Sequence, residues 1–195
     1  MTMIFSPVVS PENGYILNGV ANFTQSTNPT VRIGGGALVV GDRVYRTDEN
    51  VDLFWNGTYW LSSRFFIPVI AFGGNSLVST FSKQDLPLSI IPINRPVFIR
   101  RVRYHLAIVG FSDASNHYLI TGRVRRPGTS EVALSIVTPP LFAATNSGVI
   151  ETNLLLPDVN FDNLTALLGI TLSAVGSPTL PQRASFTYVC HIAYT

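Results

Sequence analysis

The chain is 195 residues long, enough for one or two domains with a sizeable core. A net charge of +2 argues against a protein built mainly to hold nucleic acid, and the longest unbroken apolar run, Phe65 to Phe72, is far too short to span a bilayer as a helix, so no membrane insertion is expected. Apolar residues make up 46% of the chain and charged residues only 12%, against about 25% in an ordinary soluble domain, so the surface is either made polar by Ser, Thr, Asn and Gly or partly buried between subunits. The basic residues are twelve Arg and the single Lys83, and Arg suits fixed hydrogen-bonded pairs at interfaces better than Lys does.

In chain order, Met1 to Phe5 lacks a basic stretch, and Ser6-Pro7 ends its apolar run too early for a signal peptide. Residues 6 to 36 are rich in Ser, Pro, Asn, Thr and Gly and read as loop-like or extended, with at most short strands near Tyr15 to Leu17 and Thr30 to Ile33. Next come Arg43 to Thr47, Val51 to Trp55 and Thr58 to Ser62, each strand-length and rich in β-branched or aromatic residues. Asp48-Glu49-Asn50 marks one turn between them. Asn56-Gly57 marks the other, as a type I′ hairpin turn with positive φ at both residues. The segment predicts a three-stranded meander with Val51, Leu53 and Trp55 on one face and Asp52 and Phe54 on the other. A small meander with aromatics on both faces cannot hide them alone. Phe54, Trp55, Tyr59 and Trp60 are therefore the candidate docking aromatics, directed at another domain or another chain.

The order Gly41-Asp42-Arg43, an aromatic Tyr45, Arg46-Thr47-Asp48, then Phe54-Trp55-Asn56-Gly57-Thr58-Tyr59-Trp60-Leu61-Ser62 resembles a segment in tail fibres and other virion surface proteins of tailed bacteriophages. In those proteins it usually precedes a distal β-rich domain. The resemblance implies a structural and adhesive role in a virion assembled in the host cytoplasm, often as a homotrimer. Its partners would be other virion proteins and a host surface glycan.

From Arg64 onward the apolar strands lengthen. Candidates are Arg64 to Phe72, Leu77 to Ser82, Phe98 to Val109, Tyr118 to Arg126, Val132 to Thr138, Val149 to Leu155, Leu167 to Val175 and Ala184 to Tyr194. Turn signals, among them Ser112 to Asn116, Asn146-Ser147-Gly148 and Gly176 to Pro181, separate them, and a short helical turn fits Asn163 to Leu168. Strands at this spacing predict an all-β chain: an N-terminal extended segment and small meander over residues 1–62, then a β-sandwich, jelly-roll-like, over 63–195.

Chemistry is thinly represented. Gly34-Gly35-Gly36 lacks the spacing of a dinucleotide loop, and no Gly-Lys-Ser/Thr follows any glycine run. Gly110-Phe111-Ser112-Asp113-Ala114 begins like a nucleophile elbow but ends in Ala. His105, His117 and His191 are scattered, with no Cys or carboxylate at metal-ligand spacing, so no cofactor or metal is expected. Two of the sparse carboxylates could in principle face each other to cleave a glycan, but Asp113 and Asp158 sit where turns call for Asp, and no enzyme is expected. The lone Cys190, in a strand-like run, reads as a small buried core residue, with an interchain disulfide as the alternative.

One charge cluster stands out. If Gly110 pairs with Tyr118 across a hairpin, Arg103 faces Arg125 and His105 faces Arg123, with Arg101 alongside. Like charges so placed need an anion or a carboxylate between them. Arg101, Arg103, Arg123 and Arg125 are therefore candidate contacts for an anionic ligand or a neighbouring subunit. The leading expectation is a phage tail fibre or receptor-binding protein. A head decoration protein or head fibre, and a carbohydrate-binding module of a cell-surface protein, are the alternatives.

Overall fold

Apolar side chains recur at every second position in several stretches, such as Val51, Leu53 and Trp55, and β-structure follows from that period. The computed structural model describes residues 8–10, 14–17, 19–72, 95–108, 113–125, 130, 132–141, 145–156, 167–178 and 181–194. All regular elements among them are strands: β1 Val8–Ser10, β2 Gly14–Leu17, β3 Val20–Gln25, β4 Arg43–Arg46, β5 Val51–Trp55, β6 Trp60–Leu61, β7 Phe65–Phe72, β8 Val97–Ile108, β9 His117–Arg125, β10 Val132–Val137, β11 Thr145–Leu156, β12 Leu167–Val175 and β13 Pro181–Tyr194. The candidate strand Leu77 to Ser82 lies outside the described residues. So does residues 163–166 of the candidate helical turn, whose last two residues belong to β12.

The chain divides into two compact units. The first is Met1–Arg64 with His191–Thr195, and the second is Phe65–Cys190. In the first, strands run in the order β1-β2-β3-β4-β5-β6, with the end of β13 next. The segment expected to be mostly loop carries three strands, because Ala21 and Phe23 alternate inward along β3 and give it a buried face. Thr30 to Ile33 is not a strand. There the chain turns back on itself, with Arg32 N donating to Gly36 O at 2.7 Å and Gly34 and Gly35 at positive φ. Strands β3 and β4 are parallel, so residues 26–42 form the crossover between them.

The meander is present with altered turn chemistry. Val51, Leu53 and Trp55 do share the core face. The Asn56-Gly57 connection, however, is a four-residue loop and not a type I′ turn, since only Gly57 of the pair has positive φ, at 103°. The Asn56 side chain decides this. Its Oδ1 accepts the Thr58 amide at 2.9 Å and the Tyr59 amide at 2.7 Å, an Asx arrangement that takes Thr58 and Tyr59 out of the ladder and shortens β6 to two residues. Gly57→Val is expected to destabilise the first unit by about 1–3 kcal/mol, because φ near 100° is closed to a β-branched residue. A thermal melt followed by tryptophan fluorescence measures it. An unchanged midpoint would mean that the loop reshapes freely.

The second unit is a sandwich. One layer orders β7-β13-β8-β11 and the other β10-β9-β12. Their inner faces carry Val102 and Leu106 from β8, Ala184, Phe186 and Tyr188 from β13, Tyr118 and Ile120 from β9, and Leu168, Ile170 and Leu172 from β12. Tyr188 crosses the gap. Its hydroxyl donates to Gly169 O at 2.6 Å and lies 2.9 Å from where a Cβ on Gly122 would sit, so glycine in β9 makes room for it. Cys190 is fully buried at the end of this core, and burial pushes its thiol up to about 12.

Two expectations fail in the sandwich. Strands β8 and β9 do not form a hairpin. Each is a central strand of a different layer, hydrogen-bonded on both sides, so neither has an edge to offer the other. Asn146-Ser147-Gly148 is not a turn but the start of β11, opposite Leu106, His105 and Tyr104. The Tyr104 ring lies where a Cβ on Gly148 would be, so this glycine serves a close approach and not a bend.

Candidate functional site

Two groups of residues were candidates, and the structure treats them differently. The segment 41–62 is the frame of the first unit. Its polar residues are committed to that unit's own construction. Asp42 is almost wholly buried and accepts from the Ala21 amide at 2.9 Å, the Val39 amide at 2.8 Å, and Arg32 through Nε at 3.0 Å and a terminal nitrogen at 2.8 Å. Arg32 also donates to Gly19 O. One carboxylate thus ties the β2–β3 turn and the crossover to the entry of β4. Gly41 N donates to Trp55 O at 2.9 Å and Trp55 N to Asp42 O at 2.7 Å, which fixes β5 to the same point.

Burial alone would raise the Asp42 carboxyl. The Arg32 hydrogen bonds, the Val39 and Ala21 amides and the Arg32 charge outweigh burial and hold it below its ordinary value of 3.8. A carboxyl depressed in the folded state stabilises fully above its unfolded value and stops doing so as pH falls through the folded one. The first unit is therefore expected to lose stability below about pH 4. Denaturant midpoints between pH 7 and pH 3 would show it, and Asp42→Asn should flatten the dependence. A slope that Asp42→Asn leaves intact would assign the loss to other carboxylates.

Arg46 and Asp48 form a second fork. Arg46 Nε lies 2.8 Å from Asp48 Oδ1 and a terminal nitrogen 2.6 Å from Oδ2, with Glu49 at 3.1 Å and Asn28 Oδ1 at 2.8 Å. The hydrogen bond from Arg46 lowers the Asp48 carboxyl, with smaller contributions from the Asp48 amide and the Arg46 charge. Among the described residues Asn50 is the non-glycine residue at positive φ, 53°, in the turn that follows.

The docking aromatics separate. Trp60 is buried inside its own unit, not presented to a partner. It stands edge-on to Phe23, 5.5 Å from Trp55, and its indole donates to Pro29 O at 3.0 Å. Phe54 meets His191 edge-on at 5.4 Å, and Tyr59 is half-buried. Trp55 and Trp60 find their cover in Ala21, Phe23, Val44, Leu53 and Tyr194, a core that the loop-like reading of residues 6–36 does not anticipate. Among the described residues of this unit, the exposed large apolar side chains are instead Val31, Val39, Val40, Tyr15 and Tyr45, with Val40 at 67% exposure. A cleft of about 360 Å³ lies beside the crossover, lined in part by Gln25, Asn28, Thr30 and Val31.

The arginine cluster dissolves. Arg103 pairs across the ladder with Val149, and Arg101 with Glu151, to which it forms an ion pair at 3.2 Å. Arg123 donates to Thr171 Oγ1 at 2.8 Å, beside Arg125 on β9. The inward residues of β8 and β9 alternate with these arginines. The two pairs therefore point away from the core on opposite outer faces of the sandwich, and one anion cannot bridge them. At the loop after β8, Asp113 accepts the Ser115 and Asn116 amides at 2.8 Å each, and those amides lower its carboxyl. Asn116 Oδ1 takes the Ser177 amide at 2.9 Å, so this loop and the one after β12 are fastened together. No group of three His, Cys, Asp or Glu among the described residues is placed to hold a metal ion.

No family model matches the sequence, and no curated protein matches it. Among solved structures, a chain from the structure of infectious bursal disease virus, Gx strain, is similar at 11% identity and a TM-score of 0.37. The match covers 78% of this chain and 37% of that one, so the chain spans little more than a third of the viral chain's length.

Proposed function

We propose that this protein is a virion structural protein of a tailed bacteriophage, a tail fibre or tail-associated receptor-binding protein. The first unit attaches it to the particle, and the sandwich presents its loops to the host surface. The observation that carries this reading is the segment 41–62. Its Asp-Arg, Arg-Thr-Asp and Trp-Asn-Gly-Thr-Tyr-Trp residues lie in a compact unit with its own core and ion pairs. Loops fastened to a rigid β scaffold, as at Asp113, Asn116 and Ser177, suit recognition. Exposed Val39 and Val40 are better suited to particle contact than the buried Trp60.

Electron microscopy of particles labelled with antibody against this protein tests the reading. Label at the tail is expected. Label spread over the head would turn the reading to a decoration protein or head fibre, and unlabelled particles from a producing host would overturn it.

The low charge and exposed valines also support self-association, with a homotrimer as the expected state. Light scattering at micromolar concentration should return three times the chain mass of 21.3 kDa. A monomer mass would count against the trimer.

A further inference from the structure

The first unit is interrupted in sequence. Residues 1–64 make up only part of it, and residues 191–194, which follow the sandwich strands in sequence, supply its last strand segment. Ala193 pairs with Leu61 and Tyr194 with Trp60. Ser62 N donates to Ile192 O at 3.0 Å, and Ile192 N donates to Ser62 Oγ at 2.9 Å across 130 positions of sequence. His191 Nδ1 donates to Ser62 O at 2.7 Å, and Asn28 Nδ2 donates to Tyr194 O at 3.3 Å. Tyr194 and Ala193 are buried, and Tyr194 belongs to the same core as Phe23 and Trp60. Removing this segment takes the ladder partner from the two-residue β6 and opens one side of the core. A two-residue strand held on one side only has little to keep it.

We propose that the first unit is gated by the sandwich: it closes only when residues 191–194 arrive. Chains generally fold from the N-terminal end as they are made, and here the earlier unit must wait for the later one. On the attachment role given above, on which this step rests, only chains that have completed the sandwich become competent to join a particle.

Both tryptophans, Trp55 and Trp60, lie in the first unit, so their fluorescence reports on it alone. The experiment compares the full chain with one stopped after Cys190, which retains the ladder between β13 and β7 through the Cys190–Phe65 pair. Tryptophan emission follows the first unit, and hydrogen exchange by mass spectrometry follows β8, β9 and β11. The expected result is emission shifted to its position in denaturant, with sandwich amides as protected as in the full chain. A full-length Tyr194→Ser chain should show a lower denaturant midpoint by fluorescence and unchanged exchange in β8. Unshifted emission in the shortened chain would overturn the gate. So would loss of protection in both units, since that describes a single cooperative fold. Particle incorporation separates the two claims. A shortened chain that loses its tryptophan signal yet enters particles removes the attachment role and leaves the gate standing.

Discussion

Replacing Asp42 with alanine is expected to destabilise the first unit by about 3–5 kcal/mol. The carboxylate is buried and takes two backbone amides and two guanidinium nitrogens. Alanine would leave the Ala21 and Val39 amides without an acceptor and Arg32 without its counter-charge. Asp42→Asn keeps an acceptor oxygen and the shape but loses the charge, so about 1–3 kcal/mol is expected. The order alanine worse than asparagine worse than aspartate should appear in urea midpoints read by tryptophan fluorescence. Equal midpoints for all three would show that the crossover holds its place without this residue.

In the sandwich, Tyr188→Ala is expected to cost about 3–5 kcal/mol by leaving a ring-sized cavity. Tyr188→Phe should cost about 1–3 kcal/mol, because only the hydrogen bond to Gly169 O is lost. Tryptophan emission is the wrong probe here, since both tryptophans lie in the other unit. Far-UV circular dichroism and hydrogen exchange in β9 and β12 are the right ones. If phenylalanine proved as damaging as alanine, the hydroxyl and not the ring would be holding the layers together.

The strands were legible where one face of each meets a core. Leu167 to Val175 and Val51 to Trp55 match to the residue, because alternation and turn residues agree there. Partners were not legible. The pattern of β8 says that it is half-buried but not which strand lies beside it, and the nearest strand in sequence is in the other layer. The expected arginine site depends on that pairing and is absent without it. In the sequence Gly148 reads as a turn because glycine permits both a bend and a close approach, and only the position of Tyr104 distinguishes them. The Asp42–Arg32 pair left a faint signal, an acidic residue between apolar Val39-Val40 and Val44, too weak to name its partner ten positions away. The contribution of Tyr194 to the first core left none, since period-2 patterning carries no information about which sheet a long strand serves.

Strand β11 ends the order of its layer, and it is twelve residues long. Partway along, its register slips: Glu151 faces Arg101, yet Leu154 faces Ile99, so β11 spends one residue more than β8 over that span. A straight border of that length would offer a run of evenly spaced amides and carbonyls to any other chain. The extra residue bends the border and breaks the even spacing. The last strand of this layer is thereby a poor template for a further strand from a second copy.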